Sequence, residues 1–96
     1  MLGNTTLPEG LVLSRTTNTF DKDSVPKGLL RAHRIAEGSW GVLRVVEGEL
    51  LFVIEESGES RMIRAGEAQV VEPGVLHHIE VEEGARFLIE FHKKSE

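Results

Sequence analysis

Four histidines, His33, His77, His78 and His92, stand in a chain with no cysteine. Without thiolates there are no disulfides, no cysteine nucleophile and no cysteine-ligated zinc or iron–sulfur cluster, so imidazole and carboxylate are the strong metal ligands left. A zinc or non-haem iron site needs roughly three protein ligands converging around an open position. His77 is the best placed of the four. Pro73 fixes its own φ and holds Glu72 extended, and Gly74 supplies a tight corner, so the strand that follows starts at a defined place. Ile79 and Val81 share the parity of His77, whereas His78, Glu80 and Glu82 share the other, which points His77 inward and His78 to solvent.

His33 lies in Leu29-Leu30-Arg31-Ala32-His33-Arg34-Ile35 and shares its parity with Leu29 and Ile35. It reads either as an inward ligand or as a core-edge histidine bonded to backbone. In Phe87-Leu88-Ile89-Glu90-Phe91-His92, three apolar residues at alternate positions would fill a core and turn Glu90 and His92 away. If both faces of that strand are covered, Glu90 instead becomes the carboxylate that completes a two-histidine set. Trp40 is either core or a flat wall at a cavity mouth, and Arg44 either a solvated residue or a fork of donors for an anion. No phosphate-cradling loop, nucleophile elbow or Ser/His/Asp constellation is present.

The elements that must hold these residues are short and punctuated by glycine. Glycines at 28, 38, 48, 58, 66, 74 and 84 recur at the turn spacing of an all-β sandwich or barrel. Eight runs between them read as strands: 11–16, 29–35, 40–46, 49–55, 60–63, 68–71, 77–81 and 86–91. The stretch 21–28 reads as an irregular loop or a single capped helical turn. In 49–55 both parities are apolar, as expected of a strand covered on two sides, and hiding strand edges favours a homodimer.

Ninety-six residues make one domain, here 9–92, with loose ends at 1–8 and 93–96. The net charge of −5 with dispersed basic residues argues against nucleic acid. No apolar run approaches a membrane span and the first residues lack the parts of a signal peptide, so a cytoplasmic protein is expected.

The run from Gly66 to His77 is similar to the second cupin motif, in which a metal-binding histidine stands eleven positions after a glycine. Here Glu72 takes the motif's proline place and the proline follows it. From about Leu7 to His92 the chain resembles the TehB/YeaR-like domain, a small cupin-type barrel found alone or ahead of a methyltransferase in tellurite-resistance protein B. The resembling segments are Val25 to His33, Ser39 to Gly48, Val71 to His78 and Phe87 to His92. The resemblance implies a jelly-roll barrel with a divalent metal in its mouth on His33, His77 and Glu90, with His92 next. It also raises the weight of an inward Glu90. The first cupin motif is not matched: Arg34 and Ala36 stand in its histidine places and Gly41 in its glutamate place, so dioxygenase activity is not implied.

The leading expectation is thus a small dimeric cupin binding zinc, or else iron, nickel or manganese, in a tellurite or other stress response. Such a metal would act as a Lewis acid or activate water on a small anionic or oxygen-rich molecule. The alternative is a metal-free module that senses or sequesters a small molecule or oxyanion, and a third is a structural dimer with a vestigial pocket.

Overall fold

A computed structural model describes residues 6–94. It contains seven strands: β1 (Leu11–Thr16), β2 (Ser39–Glu47), β3 (Glu49–Ile54), β4 (Ser60–Arg64), β5 (Ala68–Val71), β6 (His77–Val81) and β7 (Arg86–Lys94). They form two antiparallel sheets, one in the order β1-β7-β2-β5 and the other β4-β3-β6. The all-β, two-sheet architecture expected from the glycine spacing is present. The sheets do not close into a barrel.

The eighth expected strand, 29–35, is absent as a strand. Pro26 cannot donate to a ladder, and the chain after it takes a 3-10 turn over Lys27–Leu30, with Leu29 N–H donating to the Pro26 carbonyl at 3.0 Å. Residues 31–35 then pair with the second sheet through a single bridge, between His33 and His77, while Ile35 packs against the core. Just before this, the Asp21 carboxylate accepts the N–H groups of Asp23 and Ser24 at 3.0 and 2.9 Å, closing a side-chain-capped turn. The expected loose ends lie partly outside the described residues, at 1–5 and 95–96. Lys93 and Lys94 belong to β7, because Val12 and Leu11 of β1 pair with them.

The strand parities produce the core. Leu43 and Val45 of β2, Leu50 and Phe52 of β3, Ile79 of β6, and Phe87 and Ile89 of β7 meet between the sheets with Val25, Ile63 and Val71. Phe20, paired to Phe87 by a lone bridge, packs its ring 5.7 Å from the Phe87 ring and covers one end. On β3 the inward Leu50 and Phe52 are buried while Leu51 and Val53 on the other face are half-buried, so that strand is only partly covered on its second side.

Two different devices join the sheet edges. Between β4 and β5 a polar clasp does so: Arg61 Nη1 donates to the Ala68 carbonyl at 3.0 Å and to Gln69 Oε1 at 2.8 Å, and the Gln69 amide donates to the Val70 carbonyl at 2.9 Å. Gln69 is almost fully buried and this bonding offsets its desolvation. At the opposite edges, β1 and β6 do not pair, and the 31–35 segment meets the start of β6 at the single His33–His77 rung.

Gly48, between β2 and β3, has φ +69°, and a Cβ there would lie 2.9 Å from Ala85 Cα and 3.0 Å from the Gly84 carbonyl. Gly58 has φ +75° but open space around it. Gly58→Ala should therefore cost about 1 kcal/mol through backbone strain alone. Gly48→Ala adds a backbone clash and should cost roughly 2–4 kcal/mol, lowering Tm by on the order of 10–20 °C. Urea and thermal unfolding of the two variants side by side check this; equal costs would refute the clash.

Candidate functional site

The two best-supported histidines meet through their own backbones. His33 N–H donates to the His77 carbonyl at 2.9 Å and His77 N–H to the His33 carbonyl at 2.8 Å, a two-bond bridge between residues 44 positions apart in the chain. Directly opposed residues of an antiparallel pair project to one side. The two rings accordingly lie edge to face with centroids 4.2 Å apart, and the His77 ring also stacks on Phe52 at 5.2 Å. The Pro73-Gly74 corner sets the position of His77, and it is itself tied to the same segment, since Gly74 N–H donates to the Ile35 carbonyl at 3.0 Å.

Each ring is held by a backbone carbonyl two residues before it. His77 Nδ1 lies 2.8 Å from the Val75 carbonyl, and His33 Nδ1 lies 3.1 Å from the Arg31 carbonyl. A carbonyl only accepts, so in both rings Nδ1 carries the hydrogen and Nε2 is the nitrogen left to meet a ligand. Burial pushes His77 down to about 4, overcoming the opposing hydrogen bond to Val75. His77 is therefore neutral at physiological pH and its Nε2 is a lone-pair acceptor.

Both rings line a cavity of about 360 Å³ between the sheets, floored by Leu43, Phe52, Ile79 and Ile89. A neighbouring hollow of about 350 Å³ shares His33, Leu29 and Phe91 with it. His92 also lines the first cavity, and its Nδ1 is buried with no hydrogen-bond partner among the described residues.

The structure does not bring Glu90 to the histidine pair. Core residues Phe87 and Ile89 take one parity of β7, and Glu90 takes the other, where its carboxylate accepts from Arg44 Nε at 2.8 Å. Arg44 and Trp40 share that outward parity of β2, and neither lines the cavity. Among the described residues no three His, Cys, Asp or Glu side chains converge to hold a metal. His33 and His77 are the pair that would face a divalent cation, one donor short of a three-ligand set.

Two charged cavity residues escaped the sequence reading, Arg15 and Arg34. The pairing of β1 with β7 shifts between Leu13 and Arg15, and this bulge lets Ser14 and Arg15 both border the cavity against strict alternation. Arg15 rests its guanidinium 4.9 Å from the centre of the Phe91 ring. Arg34 sits beside His33 in the irregular segment, so no strand parity could place it.

His78, on the other face of β6, behaves oppositely to its neighbour. Its Nδ1 bonds Glu55 and its Nε2 bonds Glu80 at 3.1 Å, and these hydrogen bonds, Glu80's first, raise its pKa above the usual 6.5.

Two antiparallel sheets with a histidine-lined hollow between them define a small all-β pocket domain. The chain belongs to the TehB-like domain family, whose sequence profile matches residues 15–89. A solved Escherichia coli K12 protein is 25% identical and superposes with TM-score 0.86 over 95% of this chain and 98% of its own. TehB from Haemophilus influenzae is 24% identical with TM-score 0.81, covering 90% of this chain but 32% of TehB, so this chain spans about a third of that protein. Neisseria meningitidis protein NMB1881, 23% identical, gives TM-score 0.55 over 93% of this chain and 79% of its own. No curated protein sequence matches.

The two adjacent histidines fix opposite pH dependences. The unfolded imidazole of residue 77 takes a proton near 6.5 that the buried ring refuses until about 4, so its contribution is present above 6.5 and is lost as pH falls. The loss is on the order of 3 kcal/mol by pH 4. His78 contributes fully below 6.5, and its contribution is lost as pH rises through its raised value. Urea unfolding from pH 4 to 9 should show His77→Phe flattening the acid limb and His78→Gln costing most at mildly acidic pH. Matching pH profiles for the two variants would contradict this assignment.

Proposed function

We propose that this chain is a small-molecule-binding domain of cupin type whose ligand enters the cavity between the sheets and is met by His33 and His77. The observation that supports this reading most is the pairing of two imidazoles, each held in one tautomer, on the wall of a hollow with an apolar floor. Pockets of this kind, apolar with a few convergent polar groups, are the usual form of small-ligand sites. The role belongs in a cytoplasmic response to tellurite or another stress, in keeping with the likeness to TehB. A homodimer is part of the proposal, favoured by the exposed Val12, Leu13 and Val46.

A second reading is favoured by the two Nδ1–carbonyl bonds, which are the support commonly given to metal-binding imidazoles. In it, zinc, or iron, nickel or manganese, binds His33 and His77 and takes its remaining donors from the bound ligand, since Glu90 stands on the opposite face of β7 with Arg44.

A thermal-shift screen of small metabolites on protein made without a histidine tag tests the first reading. A ligand at a hundred times its Kd adds about 2.7 kcal/mol, a Tm rise of roughly 10 °C or more. That rise should disappear in His33→Ala and His77→Phe, both still folded by circular dichroism. If every stabilising compound acts equally on the variants, the cavity is not the site. Elemental analysis after dialysis against zinc separates the two readings: one equivalent retained by the wild type and lost in both variants supports the metal, and no retained zinc removes it.

A further inference from the structure

The cavity carries cations without counter-ions. Arg44, Arg64 and Arg86 each pair with a glutamate, and Arg61 is bonded to Ala68 and Gln69. Arg15, Arg31 and Arg34 have no carboxylate partner among the described residues, and of these Arg15 and Arg34 border the cavity. Among the described residues, no aspartate or glutamate lines this cavity or the adjoining hollow. In a protein of net charge −5, that makes the entrance the exception to the overall charge. Both guanidinium-bearing residues are exposed, so they sit at the rim, whereas the floor of Leu43, Phe52, Ile79 and Ile89 is apolar.

Resting on the small-molecule reading above, we propose that the ligand is a small organic acid with an apolar body, its carboxylate at Arg15 and Arg34 and its body on the cavity floor. Arg15 is pre-positioned for this by its stacking on Phe91, and a guanidinium fork matches a carboxylate with two parallel donors. An inorganic oxyanion such as tellurite suits the site poorly. Deep in the cavity it would lose hydration against the apolar walls of Leu43, Phe52, Ile79 and Ile89. At the rim alone it would gain nothing from the floor. An apolar acid satisfies both regions, with the charge left partly hydrated at the entrance and the hydrocarbon removed from water.

The test follows the His33 and His77 ring protons by NMR while the protein is titrated with octanoate, hexanoate, octanamide or tellurite. Octanoate should shift both rings saturably and bind roughly tenfold tighter than hexanoate, as two further buried methylenes require. Octanamide, isosteric but uncharged, should bind at least fivefold more weakly. The double variant Arg15→Gln/Arg34→Gln, changed only at exposed positions, should weaken octanoate tenfold or more and leave octanamide within twofold. Tellurite should produce no saturable shift.

Equal affinity for octanoate and octanamide, or octanoate binding that ignores the double variant, overturns the acid assignment while leaving the cavity as a binding site. Tellurite binding tighter than octanoate overturns it in favour of an oxyanion. If none of the four probes moves either ring, the acid assignment falls, and the metabolite screen then decides alone whether the cavity binds anything.

Discussion

The site depends on two backbone hydrogen bonds, those exchanged between His33 and His77. They are the only ladder bonds the 31–35 segment makes to β6, yet they fix three things together. They close the edge of the smaller sheet, they hold the extended segment over the gap where β1 and β6 fail to pair, and they set two imidazoles side by side. Directly opposed residues of an antiparallel pair are the nearest cross-strand neighbours on a shared face, which brings their two side chains to close range. The site is therefore built from the same contact that completes the fold at that edge.

Burial then decides what these rings can do. His77 is packed between Phe52 and His33 and bonded through Nδ1, so its charged form is strongly disfavoured and its free nitrogen accepts. One residue further along the same strand, His78 lies between two carboxylates and is held toward its charged form. Adjacent residues of one type receive opposite electrostatic fates because successive side chains of a strand enter opposite environments. The inner face of β6 is thus a neutral, cavity-facing surface and the outer face a charged one.

The same division of faces governs the carboxylate. Glu90 satisfies Arg44 on the outside of the larger sheet, which leaves the interior free of negative charge. Among the described residues, the permanent charges lining the cavity are then the two arginines on its rim. One reaches it through a bulge and the other from a segment without regular structure, so both come from places where the ladder is interrupted. Irregular backbone of this kind gathers at functional sites because it can aim side chains that a regular strand would send elsewhere.

Much of this was legible in the sequence. Glycine spacing and alternating apolar residues determine six of the strands within a residue or so at each end, along with β7 from Arg86 to Phe91, because turns and half-buried strands impose local patterns. The Pro73-Gly74 corner and the parity of Ile79 and Val81 determine that His77 is inward and His78 outward. Three matters were left to the tertiary structure. The 29–35 run carries strand-like residues, but Pro26 and Gly28 start it in a 3-10 turn and only one rung of partner is available, so it forms a bridge and not a strand. Glu90 is compatible with either face until a partner across the sheet, Arg44, is seen to hold it outside. The meeting of His33 with His77, and of Arg15 and Arg34 around the same opening, is a fact of long-range pairing and of one register shift. Local spacing carries no information about which distant segment supplies the opposite rung.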